Sequence, residues 1–386
     1  MNGQDRLRIL LSGMVAGDPH QGGATWAVLQ YVHGLRDLGH DVALVEPLRG
    51  RPDPTVVDYF RSLALPEHRS ALLLGPSRET IGMSYEEIVD FARSADLLLN
   101  ISGMLKDERV LEAVPVRAFL DLDPGFNQVW ELTGEEMGVD RHTHFVSVGQ
   151  LLGRPGCRVP TCGRAWIATL PPVVLDRWPV AGASGSQAFT TIGHWRSYGS
   201  IAYGGVDYGQ RAHSLRRFFE LPGRVSAPLE LALGIHPDEE ADLSTLRRNG
   251  WRLVDPAQMA GTPDAYAGYV RGSFAELGFA KSGYVESHSG WFSDRSACYL
   301  ASGRPVVAQA TGFEEVLPAG EGLLRFSTVD EAAAAIEAVM AEPELHRRRA
   351  RELAEERFDA QIVLSRLLVE LASSPPAPSS AAGPST

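Results

Sequence analysis

The sequence predicts an α/β protein built from two parallel-sheet units that face each other across a cleft. Three features predict it. Short apolar runs alternate with helix-like segments over most of the chain, the pattern of parallel strands joined by crossover helices. The alternation occurs twice, broken at Pro179–Gln187 by small residues that read as an interdomain linker. The length of 386 residues, with 44% hydrophobic and 22% charged, suits two soluble globular domains of ordinary size.

In the first series the predicted strands are Leu7–Leu11, Val42–Val45, Ala71–Leu74, Leu97–Ile101, Val116–Leu120, Phe145–Val148 and Trp166–Leu170. The clearest helix is Thr25–Leu38, where Val28, Leu29, Val32, Leu35 and Leu38 recur at three- and four-residue spacings and Gly39 closes the turn. The second series comprises Phe189–Ile192, Leu229–Leu233, Trp251–Val254, Phe274–Leu277, Val306–Ala308 and Leu323–Phe326. Helices follow at Asp330–Met340 and Glu344–Glu356, the latter laced with arginine and glutamate at the spacing of a solvated face. The predicted divisions are 1–180, 188–355, a C-terminal helix over 356–372 that can return to the first domain, and a disordered tail over 373–386.

A net charge of −12 disfavours a nucleic-acid partner, which needs a basic surface. A small anionic ligand is compatible, because a local cluster of donors overrides the global sign. Three cysteines, Cys157, Cys162 and Cys298, are too few for a disulfide framework and lack the companions of a metal site. No apolar stretch reaches the ~20 residues that span a bilayer, and the first residues lack a signal-peptide pattern, so the expected location is cytoplasmic.

The most informative stretch runs from Gly283 to Gln309. It reads as a glycine-containing loop, a helix start and a short strand. Amides of Ser289, Gly290 and Trp291 are expected to face an anion, with the positive end of the next helix behind them. Ser293 is the expected cap and Asp294 the first-turn acid, while Gly303-Arg304-Pro305 ends the helix. The arrangement suits a diphosphate. Lys281 directly abuts it and can neutralise phosphate charge. In the first half, Gly22 and Gly23 permit close backbone approach before the long helix, or simply serve the turn. His20, in the same loop, is either an exposed polar residue or a general base. Asp123 ends the run Val116–Leu120, where acids of open sheets face ligands or cap turns; Asp121 lies on the same strand face. Trp195, Tyr198, Tyr203 and Tyr208 either line the cleft or pack.

These residues carry a resemblance. Ser296–Gln309, containing Ala-Ser-Gly-Arg-Pro-Val-Val-Ala, resembles the donor-binding helix and strand of GT-B glycosyltransferases of the group 1 type. His288-Ser-Gly-Trp291 is similar to the His-Cys-Gly-Trp that opens the nucleotide-sugar signature of plant-type GT-B enzymes. Leu7–Leu11, Gly22-Gly23 and Leu38-Gly39-His40-Asp41-Val42 resemble the opening of that fold. The resemblance implies two Rossmann-like domains, acceptor on the first and nucleotide-sugar on the second. It further implies a Lys–Arg pair on the donor phosphate, Lys281 with Arg196, and Arg295 as a weaker substitute. By the same resemblance His288 is expected to help hold the diphosphate. The loop Thr311-Gly312-Phe313-Glu314-Glu315 resembles the one that meets the donor sugar in that fold, which implies that Gly312 offers its N–H and that Glu314 or Glu315 accepts sugar hydroxyls. The relatives' ribose-binding glutamate is missing: their two spacings place Cys298 or Ser296 there, so Asp294 or Glu286 must substitute.

The implied function is transfer of a sugar from a nucleotide-sugar, as co-substrate with no further cofactor, to a small-molecule or glycan acceptor. A nucleotide-sugar epimerase of the same fold and a non-catalytic nucleotide-sugar or glycan binder are the alternatives. Asp121-Leu122-Asp123 matches a metal motif in letters, but no metal is expected.

Overall fold

The structure, a computed structural model, describes residues 6–182 and 186–377. Eight strands form the first sheet: β1 (Arg8–Ser12), β2 (Asp41–Leu48), β3 (Ser70–Leu74), β4 (Glu79–Gly82), β5 (Leu97–Ile101), β6 (Val116–Asp121), β7 (His144–Ser147) and β8 (Trp166–Ala168). Their order is β4-β3-β2-β1-β5-β6-β7-β8, and every neighbour pair is parallel except β3–β4. In the second half, β9 (Phe189–His194) is followed by a hairpin, β10 (Ile201–Tyr203) with β11 (Val206–Tyr208). Then come β12 (Leu229–Gly234), β13 (Arg252–Leu253), β14 (Ala275–Gly278), β15 (Val306–Gln309) and β16 (Leu323–Phe326). Apart from the hairpin they make a six-stranded sheet, β13-β12-β9-β14-β15-β16, parallel throughout.

The central strands are apolar runs because both faces are covered. β1, β3 and β5 bury nearly every residue, as expected where helices pack on both sides of a parallel sheet. The helix Gly22–Asp37 begins earlier than its apolar periodicity, because Gly22 and Gly23 are already helical. Gly22 has a packing reason: a Cβ there would stand 2.2 Å from the Thr262 carbonyl oxygen of the other lobe. Trp26 of the same helix donates its indole N–H to the Pro263 carbonyl at 2.9 Å, so the helix joins the lobes.

The chain crosses between lobes along two adjacent paths. Val173 donates to the Phe358 carbonyl at 2.7 Å, and Ala360 donates back to Val173 at 2.8 Å. Beyond this bridge the helix Ala360–Ser373 lies in the first lobe, its Leu364, Leu367, Leu368 and Leu371 sharing a core with Val28, Tyr31 and Leu35. Of the linker stretch, Ala181 and Gly182 are tied to the second lobe through Ser302 and Arg304, and 183–185 lie outside the described residues. The expectation of a disordered tail from residue 373 needs correction at its start. Ser373 ends the helix, His144 pairs with the Ser374 carbonyl at 3.1 Å, and Ala377 donates to Thr143 at 2.8 Å. Residues 378–386 lie outside the described ones.

Candidate active site

A cavity of about 650 Å³ opens between the lobes where the strands of both sheets end. Ligands of open α/β sheets bind at such carboxyl ends, because loops there are free to vary and helix N-termini point inward. His20, Gly23, Asp123, Lys281, Trp291, Ser293 and Asp294 all line it. Gly22, Arg196, His288, Ser289, Gly290 and the loop Thr311–Glu314 do not.

Lys281 and Asp123 meet across the cleft. The Lys281 ammonium lies 2.8 Å from Asp123 Oδ2. Tyr198 accepts from that ammonium and donates to the same oxygen, while Tyr284 donates to Oδ1. The ammonium also stands 4.1 Å from the Tyr198 ring centre, 4.9 Å from Phe126 and 5.4 Å from Tyr284, within cation–π range. Burial pulls the ammonium below the usual lysine range, and Asp123 opposes that shift. Both Asp123 oxygens are engaged, so the carboxylate is not free to take a proton from an acceptor. Its neighbour Asp121 points elsewhere. The Asp121 carboxylate is fully buried and accepts from Asp123 N, Asn127, Gln128 and Ser147, which fixes the turn carrying Asp123.

The expected anion array at Ser289–Trp291 is corrected by its hydrogen bonds. Ser289 N donates to the Tyr284 carbonyl at 3.2 Å, Gly290 N to Thr311 at 2.8 Å, and Trp291 N to Ser289 Oγ at 3.3 Å. Ser289 is fully buried, and its carbonyl accepts from Leu151 N of the first lobe at 3.1 Å. The residues preceding it are no open loop either, since Ser282–Glu286 is a short helix. What looked like a phosphate cradle is an interlobe seam. Gly290, at φ +71, is needed there because a Cβ would meet Leu151 at 2.8 Å.

Four more expectations change. Arg196 pairs with Glu239 at the surface. His288 pairs with Glu315 at 2.6 Å and is 39% exposed. Thr311 Oγ1 donates to the Trp291 carbonyl, Gly312 N donates to Glu314 at 3.1 Å, and Phe313 packs on Phe292. This loop therefore supports the seam from behind. Glu286, a substitute for the ribose acid, is likewise absent from the cavity, whereas Asp294, Cys298 and Gln30 line it.

Arg211, and not Arg196, lines the cavity. Its Nε donates to the Phe279 carbonyl at 3.0 Å and Nη1 to the His194 carbonyl at 2.5 Å, and among the described residues it has no carboxylate partner. Burial, chiefly, pulls its guanidinium down to about 9, with Arg295 adding to the shift; it stays charged at neutral pH. Arg295 differs: its Nε is held at 2.5 Å by the buried Glu276. Arg211 is thus a cavity cation with no carboxylate in contact among the described residues, its charge offset only at longer range by Glu276 and Asp294. In sequence it marks only the start of the five-residue helix Arg211–Leu215, and no motif spacing singles it out.

The helix Asp294–Ala301 opens on the cavity, with Ser293 Oγ capping Arg295 N at 3.2 Å. Burial raises the Asp294 carboxyl above its ordinary range, opposed by Arg295 and by the first amides of the helix. An anion at this helix end meets that acid as well as the favourable dipole. His20 sits across the cleft in a left-handed conformation, φ +67, its exposed ring 6.0 Å from that of Tyr59 and without a hydrogen-bond partner among the described residues.

No protein-family model and no curated protein matches the sequence. Solved structures match over nearly the whole chain. An alpha-glucosyltransferase in complex with UDP and a 13-mer DNA superposes with a TM-score of 0.63 at 11% identity, covering 96% of this chain and 100% of that one. HepE of Anabaena, in complex with UDP and glucose, gives 0.57 at 12% identity, covering 96% and 100%. Sucrose-phosphate synthase from Thermosynechococcus elongatus gives 0.57 at 14% identity, covering 95% and 100%. With two parallel α/β lobes closing on a cavity at their strand ends, this chain has the GT-B fold of glycosyltransferases.

Proposed function

We propose that this protein transfers a sugar from a nucleoside-diphosphate sugar to a hydroxyl-bearing acceptor. The observation that carries the reading is Arg211, a buried guanidinium in the cavity between the lobes with no carboxylate in hydrogen-bond or ion-pair contact among the described residues. An unpaired buried cation is costly unless an anionic ligand completes it. A diphosphate meets that need, and structural neighbours in complex with UDP support the choice.

In the proposed reaction the bond between the anomeric carbon and the diphosphate oxygen breaks, and the diphosphate leaves with the electron pair. Arg211 neutralises that charge, with Lys281 beside it. The acceptor oxygen bonds to the anomeric carbon, and its proton passes to His20. Asp123 is kept from this role by Lys281 and the two tyrosines; it positions the lysine. The net charge of −12 supports a small or glycan acceptor over a nucleic acid.

The test is release of free nucleoside diphosphate from UDP-, GDP- and dTDP-sugars. Arg211→Gln is expected to lower turnover about 10²–10³-fold, the usual effect of removing one preorganised donor to a developing anion. Arg211→Lys, which keeps the charge, should recover part of it. Wild-type turnover in a folded Arg211→Gln protein would remove Arg211 from the donor site.

A further inference from the structure

We infer that the acceptor is an apolar alcohol or phenol and not a glycan; this rests on the transferase reading above. Most of the cavity's charge lies on the second lobe. Arg211, Lys281, Asp294 and Arg295 belong to that lobe, where the nucleotide-sugar is assigned, and the first lobe's Asp123 is tied to Lys281. The first lobe's wall is built at the ends of four neighbouring strands. Met14 follows β1, Ile101 and Met104 lie at the end of β5, Leu122 follows β6 and Val148 follows β7. Val28 of the long helix completes it.

Of the polar side chains on this wall, the buried Tyr31 hydroxyl and the His20 ring have no hydrogen-bond partner among the described residues, and the others are largely committed to the protein itself. Asp123 holds Lys281 and two tyrosines. Gln21 Oε1 pairs with His194 Nε2 at 2.9 Å across the cleft. Gln30 Oε1 accepts from Val174 N at 2.8 Å, and Ser102 Oγ accepts from Asn127 at 3.4 Å. A sugar ring carries several hydroxyls, each of which must find a partner when it leaves water. Tyr31 and His20 can meet one hydroxyl each, which is fewer than a sugar ring carries. A flat apolar body gains from the same surface, and the two thioether side chains adapt to its outline. His20, at the mouth, can meet one hydroxyl.

The experiment uses the full chain and reads binding and turnover separately. Binding of 2-naphthol and of cellobiose is measured by equilibrium dialysis, and glycosylation of each is followed with UDP-, GDP- and dTDP-glucose. The wild type is expected to bind and glycosylate 2-naphthol in preference to cellobiose. Met104→Glu should weaken naphthol binding at least tenfold, whereas Met104→Leu should change it less than threefold. Met14→Glu, on a different strand end, replaces Met104→Glu should that variant fail to fold by circular dichroism. Preference for cellobiose, or unchanged naphthol affinity in the folded glutamate variant, overturns the apolar acceptor alone. Naphthol binding without nucleotide release from any donor overturns the transferase reading and the acceptor role with it.

Discussion

At the scale of single residues, the pair Lys281–Asp123 shows why a lysine's role cannot be judged by its sequence neighbours. Read from the chain, replacing Lys281 should depress activity and leave folding intact. In the fold its ammonium is surrounded by three aromatic rings and one carboxylate from the opposite lobe, so removing either partner strands the other. Asp123→Asn should therefore cost about 3–5 kcal/mol in urea unfolding, and Asp123→Asn/Lys281→Met should recover much of it. A single variant as stable as wild type would show that the bridge is open in solution. His142 offers a second residue-scale test. Its ring bonds to Asn100 and the Gly138 carbonyl, and burial pulls its pKa from the ordinary 6.5 to about 4. The folded state thus binds fewer protons than the unfolded chain between these values. The stabilisation is full above ~6.5 and is lost as pH falls towards ~4, on the order of 3 kcal/mol in all. His142→Gln should flatten that part of the stability–pH profile. An unchanged slope in the variant assigns it to other groups.

Elements were legible in proportion to their periodicity and length. The long helix and all thirteen apolar strands form close to where the sequence places them, with no end shifted by more than three residues. The edge strand β4 and the hairpin β10–β11 were missed, for a physical reason. Residues 79–82 and 201–203 are exposed or half-buried, so no apolar pattern marks them. The terminal helix Ala360–Ser373 is legible as a helix that can return to the first lobe, but the helix face it packs on there is not. Gly34 admits it closely, since a Cβ there would lie 2.6 Å from Leu364 Cδ1. Leu364→Ala should destabilise the protein by about 2–5 kcal/mol through the cavity it leaves. An effect below 1 kcal/mol, read by thermal or urea unfolding, would mean this helix contributes little to the first lobe's core.

For the whole molecule, the sequence by itself determined the two-unit parallel α/β plan, the cleft between the units, and several residues that reach it: His20, Asp123, Lys281, Ser293 and Asp294. These follow from local rules, because burial on both faces writes apolar runs and strand ends in this plan converge on a common opening. Only the tertiary structure decided which donors remain free. The amides of Ser289–Trp291 are taken by Tyr284, Thr311 and the Ser289 hydroxyl, in a loop that also bonds the first lobe at Leu151, while Arg211 is left unpaired. Hydrogen-bond and ion-pair partners lie far apart in the chain, 158 residues for Asp123 and Lys281. A residue's type fixes what it can bind; what already occupies it depends on packing between lobes, which no local pattern encodes.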